Sequence, residues 1–177
     1  MQFKAENMIA SGRLFAYLGG LDGSKRVDFL AATLDELHER GSDVHLMVGG
    51  AGKESFLLQE ARDRGQVSAL GYVQGSAKAA VLKSSIGIVN PGRVGLLAVD
   101  ALVAGRPILT TDWKYHAPEI EYLEPGKSLF TSIDTAPAFA ALIDDFRPLG
   151  NVDGGSAPTL DAMVKNFSKG IRAMLGG

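Results

Sequence analysis

The amino-acid sequence predicts an α/β fold in which a parallel sheet of about six strands lies between two layers of helices. Short apolar segments alternate with segments of helical periodicity along almost all of the 177 residues. The apolar segments are continuous rather than alternating, which is typical of parallel strands that are buried on both faces. We therefore expect a doubly wound three-layer αβα sandwich whose ligands bind at the carboxyl ends of the strands.

The first half of the chain contains three predicted strand–helix units. The strands are the apolar runs RLFAYLGG, DVHLMVGG and QVSALGYV, at 13–20, 43–50 and 66–73. Apolar residues spaced three and four apart predict a first helix that begins near Val27 and ends before Gly41. The same spacing predicts helices over 53–65 and 76–85.

The second half continues the alternation with shorter strands. IGIVNP and PILTTD, at 86–91 and 107–112, predict two strands, and GKSLFT at 126–131 predicts a weak sixth. Between and after them, periodicity predicts helices over 94–104, 116–123 and 137–146, and a Gly/Ser/Pro loop precedes a closing helix over 159–175.

Composition limits the classes of function. With a net charge of −2, the chain lacks the excess of positive charge that is typical of proteins that bind nucleic acid or an anionic membrane. Cysteine is absent, which excludes disulfides and thiolate metal sites. No apolar stretch approaches the roughly 20 residues of a transmembrane helix, and the first residues lack the apolar core of a signal peptide. We expect a cytoplasmic protein with no transmembrane segment.

Glycine-rich sequences follow three of the predicted strands: GGLDGSKR, GGAGKE and PGRVG. Glycine lets a ligand approach the backbone, and the helix N-terminus beyond each turn favours a phosphate. At any one turn, a tight connection without a ligand explains the glycines equally well. Three such turns at one edge of the sheet, with lysine or arginine in each, favour a phosphorylated ligand.

Known phosphate and metal motifs do not fit these turns. GGLDGSKR lacks the spacing of a dinucleotide fingerprint, and VGGAGKES has Met47 and Glu54 where a Walker loop requires glycine and Ser/Thr. The histidines at 38, 45 and 116 lack metal-ligand spacing.

Asp100 lies in the helix that follows the PGRVG turn, roughly 6–9 Å along the axis from its start. A phosphate on the N-terminal amides and a ribose beyond it would span that distance, and the carboxylate would accept hydrogen bonds from the ribose diol. The alternative is a solvated aspartate that is stabilised by the positive end of the helix.

The motifs together resemble a known family. FAYLGGLDGSKRVDFL, HLMVGGAGKESFL, LGYV, PGRVGLLAVDALVAGRPILTTD and HAPEIEYL occur in the order found in the carboxyl-terminal domain of group 1 nucleotide-sugar glycosyltransferases. That resemblance implies the Rossmann-like half of a GT-B fold. It divides the chain into a linker (1–12), a nucleotide-sugar-binding domain (13–150) and a loop with the closing helix (151–177), without the amino-terminal acceptor domain.

The resemblance also implies roles for individual residues. Lys25 corresponds to a basic residue that contacts the donor diphosphate, and Asp100 to an acid that binds the ribose. The implied set also contains Gly49, Gly50, Gly95 and Leu96 at the diphosphate and Tyr72 and Val73 at the base, with no cofactor and no metal.

Two positions depart from the family pattern. Gly20 replaces an arginine, and Gly92 replaces the first acid of a paired-acid motif, although a PG-x-VGL variant of this loop occurs in the family. Arg93 is a candidate for the missing positive charge at the diphosphate, and its alternative is an exposed turn residue. His116 is a candidate contact to the sugar, and its alternative is an ordinary residue at a helix entry.

The expected function is donor binding in a retaining, metal-independent glycosyltransferase, with this segment inactive by itself because the cleft requires both domains. Two alternatives remain open: half of a nucleotide-sugar epimerase of the same architecture, or a non-catalytic nucleotide-binding module. The expected partners are a nucleotide sugar and the amino-terminal domain of the same enzyme, and no nucleic acid.

Overall fold

The computed structural model describes residues 13–148 and the single positions 164, 165, 168, 169 and 172. Its strands are β1 (Arg13–Leu18), β2 (Val44–Gly49), β3 (Val67–Gly71), β4 (Gly87–Val89), β5 (Ile108–Thr111) and β6 (Leu129–Ser132). Within the described residues they form one parallel sheet in the order β3-β2-β1-β4-β5-β6. The order changes direction between β1 and β4, and doubly wound sheets bind ligands at such a point.

Helices cover both faces of the sheet. They are α1 (Val27–Glu39), α2 (Gln59–Asp63), α3 (Gly75–Ser84), α4 (Leu97–Ala104) and α5 (Ala136–Asp145). Apolar residues of α1, α2 and α5 form one buried cluster, and those of α3 and α4 form a second cluster on the opposite face. The predicted three-layer αβα sandwich is therefore confirmed.

The central strand shows why the apolar runs are continuous. Leu14 and Ala16 face the cluster of α3 and α4, whereas Phe15 and Tyr17 face the cluster of α1, α2 and α5. All four are fully buried. A strand covered on both faces has no polar side to alternate with.

Several predicted boundaries were wrong, each for a local reason. The helix predicted from Val94 begins at Leu97, because Gly95 adopts a left-handed conformation with φ of 54°. The helix predicted over 116–123 is a 3-10 helix (Pro118–Tyr122), and the segment 53–65 forms a 3-10 turn (Ser55–Leu58) before α2. The sixth strand begins at Leu129 because the preceding residues form a turn, in which the amides of residues 127–129 all donate to the carbonyl of Glu124.

The predictions for the termini fall largely outside the described residues. The linker at 1–12 and the loop at 151–158 lie outside them entirely, as does most of the helix predicted over 159–175. The proposed division into domains therefore stays a prediction. None of the described helices has the length and apolar character needed to cross a membrane.

Candidate functional site

A cavity of about 740 Å³ opens at the carboxyl ends of β1, β2 and β3 and at the start of α4. It lies at the change of strand order, where the fold class predicts a ligand. Its walls come from the three strand ends, from the loop after β4 and from the first turns of α3 and α4. The lining residues are Leu18, Gly19, Gly20, Lys25, Gly49, Ala51, Tyr72, Val73, Gln74, Gly75, Lys78, Arg93, Val94, Gly95, Leu96, Leu97 and Asp100.

The residues that lead into α4 line this cavity. The first hydrogen bond of the helix runs from the Ala98 amide to the Gly95 carbonyl at 3.0 Å. The amides of Gly95, Leu96 and Leu97 precede that bond, so they are the donors that a helix N-terminus leaves unpaired. Such donors, together with the positive end of the helix, are suited to an anion.

Two cations stand beside these amides. The ammonium group of Lys25 donates to the carbonyl of Arg93, and the amide of Arg93 donates to the carbonyl of Ser24 at 3.2 Å. Burial lowers the pKa of Lys25, the negative charge of Asp22 opposes that change, and the neighbouring charge of Arg93 adds to it. An anion in the cavity would favour the charged form of Lys25.

Asp100, in the first turn of α4, also lines the cavity and forms an ion pair with Lys78 of α3. The sequence analysis did not identify Lys78. A physical signal was nevertheless present, because a lysine in the first turn of a helix is unfavourable next to the positive helix end unless an acid compensates it.

Sterics explain the departure from the family at position 92. A Cβ atom at Gly92 would lie 2.6 Å from both the Cα and the carbonyl carbon of Lys25. Gly92 is buried, and its amide donates to the side chain of Asn90 at 3.2 Å. The acid that the family carries here does not fit this turn, because backbone atoms cannot rotate out of its way.

Gly20 is less restricted. A Cβ atom there would meet the carboxylate of Asp22 at 2.6 Å, and that side chain can move. The carbonyl of Gly20 accepts a hydrogen bond from the buried hydroxyl of Tyr17 at 2.7 Å, which anchors the loop after β1. Burial raises the pKa of Tyr17, so this hydroxyl remains a donor.

Arg26 connects the loops that surround the cavity, although it does not line the cavity itself. It follows Lys25 directly and has a left-handed backbone, with φ of 54°. Its guanidinium donates to the Pro91 carbonyl at 3.2 Å and to the Asp134 carboxylate at 2.5 Å, and it lies 5.3 Å from the ring centre of Trp113. One side chain therefore connects the loops after β1, β4, β5 and β6.

Most of the predicted site residues come together in this cavity. Tyr72 and Val73 are among its lining residues, and Tyr72 is 76% exposed. Gly50 does not line it and instead lines a smaller, adjacent cavity. A Cβ atom at Gly50 would overlap the carbonyl oxygen of Gly19. Its glycine identity is therefore explained by close packing of two loops.

His116 is not among the residues that line the cavity. It follows β5, where Nε2 lies 2.9 Å from the carbonyl oxygen of Thr111 and its ring packs edge-on against Trp113. These contacts suit a structural residue, and contact with a sugar stays a prediction. Among the described residues, no three His, Cys, Asp or Glu side chains come together as metal ligands would.

Known proteins share this architecture. The chain is 30% identical over 107 residues to the phosphatidyl-myo-inositol mannosyltransferase of Mycolicibacterium smegmatis. The aligned residues make up 57% of this chain and 28% of the mannosyltransferase. Anabaena HepE, solved with UDP and glucose, superposes with a TM-score of 0.72 at 14% identity, over 97% of this chain and 51% of HepE.

Two further structures share the fold. The pneumococcal O-GlcNAc transferase GtfA, solved with UDP and GlcNAc, gives a TM-score of 0.67 at 17% identity, over 94% of this chain and 37% of GtfA. The catalytic domain of the Helicobacter pylori cholesterol-alpha-glucosyltransferase gives 0.61 at 20% identity, over 76% of this chain and 85% of that domain. This chain therefore spans about half or less of HepE, GtfA and the mannosyltransferase.

The sequence profile of the family described as "Glycosyl transferases group 1" matches residues 12–146, which contain the whole described sheet and the cavity. The fold, the position of the cavity and this match agree with one another. The chain belongs to the group 1 glycosyl transferases.

Proposed function

We propose that the cavity binds the nucleoside diphosphate of a sugar donor, for the retaining, metal-independent transfer of that sugar to an acceptor. One observation carries the proposal: a glycine-lined helix N-terminus with two adjacent cations lies one helical turn from a carboxylate in the same cavity. UDP is bound in the structures of HepE and GtfA, which supports the same class of ligand here.

The charges that line the cavity match this ligand. They are Lys25, Lys78, Arg93 and Asp100, three cations against one carboxylate. Lys78 and Asp100 neutralise each other in an ion pair, and this leaves Lys25 and Arg93 for the phosphates. The diphosphate of a nucleotide sugar carries two negative charges, so the two remaining cations would balance it.

In this assignment the amides of Gly95 and Leu96 bind phosphate oxygens and Asp100 accepts hydrogen bonds from the ribose hydroxyls. Gly49 gives the ligand close access to the backbone, and Tyr72 and Val73 lie where the base would rest. Hydrogen bonds that involve a charged partner are about twice as strong as neutral ones, so Lys25, Arg93 and Asp100 should dominate the affinity.

We propose that an amino-terminal acceptor domain of the same enzyme covers the cavity. Large apolar side chains are exposed by 56–76% after five successive strands, and all of them lie at the edge that carries the cavity. An apolar rim of this kind is typical of a surface that another protein or domain covers. These residues are Phe56, Tyr72, Leu96, Tyr115 and Ile133.

Catalysis by this chain in isolation is not expected. Asp100 is the one carboxylate that lines the cavity in the described part of the chain, and the assignment engages it with the ribose. Groups that activate the acceptor must then come from the covering domain, which also holds the acceptor in line with the donor.

The test is ligand-observed NMR of this chain with UDP, GDP and ADP. We expect one nucleotide to bind best. Asp100→Ala should lower the affinity for that nucleotide about tenfold, which corresponds to the loss of one charge-assisted hydrogen bond. Asp145→Ala is the matched control, because Asp145 is exposed at the end of α5, at the opposite edge of the sheet. Equal binding by both variants would remove Asp100 from the site.

A further inference from the structure

Lys78 is the charged residue in the cavity for which the donor-site assignment provides no ligand contact. It lies in the first turn of α3 and donates to Oδ2 of Asp100 in the first turn of α4. The two side chains retain 31% and 37% exposure, and both residues line the cavity wall. The pair is therefore within reach of a bound ligand.

The surroundings of Lys78 suggest that its position serves Asp100. A positive charge in the first turn of a helix is repelled by the helix dipole, whereas Asp100 is stabilised by the dipole of its own helix. Lys78 thus occupies an unfavourable place in α3, and the ion pair with Asp100 offsets the repulsion. On α3, Lys83 is exposed in the last turn, where a lysine is favourable and needs no partner.

We propose that Lys78 is a positioning residue that fixes the carboxylate of Asp100 for the ribose diol; this inference rests on the proposed function. Lys78 occupies Oδ2 of Asp100. Oδ1 and the remaining lone pairs of Oδ2 then stay available as acceptors, because each carboxylate oxygen accepts more than one hydrogen bond. Without Lys78 the aspartate side chain would sample other rotamers, and each bound nucleotide would have to order it.

This role predicts a specific coupling between Lys78 and the ribose hydroxyls. If Lys78 acts through Asp100, its removal should weaken binding of a ribonucleotide more than binding of the 2′-deoxy form, which offers Asp100 only the 3′-hydroxyl. If Lys78 instead contacts a phosphate, its removal should weaken both nucleotides by the same factor. If it only joins two helices, the stability of the fold changes and the ratio of affinities does not.

The experiment measures affinities of UDP and 2′-deoxy-UDP, and of GDP and 2′-deoxy-GDP, for the whole chain and its variants. We expect the wild-type chain to prefer the ribonucleotide about tenfold, the value of one charge-assisted hydrogen bond. Lys78→Met should reduce that preference to less than threefold, and Lys78→Arg should restore most of it. Lys83→Met, on the same helix, should leave the preference unchanged.

The outcomes separate this inference from the proposed function. A wild-type chain that binds none of the four nucleotides overturns the proposed function. A wild-type chain that binds UDP or GDP but does not distinguish it from its 2′-deoxy form overturns the positioning role, because there is then no ribose contact to position, and leaves binding of the diphosphate standing. If Lys78→Met leaves the wild-type preference intact, even while it weakens both nucleotides by the same factor, the positioning role alone is overturned. Lys78→Gln, which keeps a polar side chain of similar length, repeats the test if the methionine variant folds poorly.

Discussion

The glycine at position 92 provides the sharpest test of the geometry of the cavity loop. In Gly92→Ala the new Cβ would lie 2.6 Å from two backbone atoms of Lys25, where an ordinary contact is 3.4–4 Å. One of the two loops must therefore move by roughly 0.8 Å or more. Overpacking of this kind costs about 1–3 kcal/mol.

A loss of about 2 kcal/mol corresponds to a Tm lower by about 4–8 °C for a chain of this length. The displaced residue is Lys25, so nucleotide affinity should decrease as well, by about tenfold if the charged contact is lost. Thermal unfolding followed by circular dichroism and titration with the best-binding nucleotide measure the two effects. Gly92→Glu, which places the acid of the family pattern here, should be at least as destabilising.

Gly23→Ala is the matched control, because Gly23 belongs to the loop after β1 that carries Lys25. A Cβ there would meet the side chain of Glu54 at 3.5 Å, an ordinary contact, and its backbone does not require glycine. This variant should melt within about 2 °C of the wild type, or slightly higher because the unfolded chain becomes less flexible. If the Gly92 and Gly23 variants had the same Tm, the steric argument for position 92 would be refuted.

Three further predictions follow from burial and charge. Phe139→Ala removes a fully buried ring from the cluster of α1, α2 and α5, and urea unfolding should show a loss of about 3–5 kcal/mol; a loss below 1 kcal/mol would contradict this packing. Hydrogen bonds from Ser42 and Arg13 lower the pKa of Asp144, so its contribution to stability is complete above the ordinary aspartate pKa of about 3.9 and disappears as pH falls through the lower folded value. The urea midpoint of Asp144→Asn should therefore depend less on pH between about pH 5 and 2, and an unchanged dependence would count against the contact. Burial lowers the pKa of Lys25, so nucleotide affinity should begin to decrease with rising pH below the ordinary lysine value of about 10.4, and Lys25→Arg, measured by calorimetry, should remove that decrease.

The sequence determined the fold class and the edge of the sheet that carries the cavity. Continuous apolar strands such as β1 are buried on both faces, and a parallel doubly wound sheet provides that burial by covering each face with helices. Glycine-rich turns that follow parallel strands meet at one edge of the sheet, which is why Lys25, Arg93 and Gly95 could be placed in one site from their positions in the chain. The starts of helices were less predictable, because Gly95 in a left-handed conformation delays α4 until Leu97.

Tertiary structure alone decided which residues contact each other across the cavity. Lys78 and Asp100 are 22 residues apart on different helices, and no local pattern relates them. The requirement for glycine at position 92 comes from the backbone of Lys25, which is even more distant in the chain. Periodicity and turn chemistry act over a few residues and therefore specify elements and their order. Ion pairs and close backbone contacts depend on distances between elements, and those distances are set when the helices pack on the sheet.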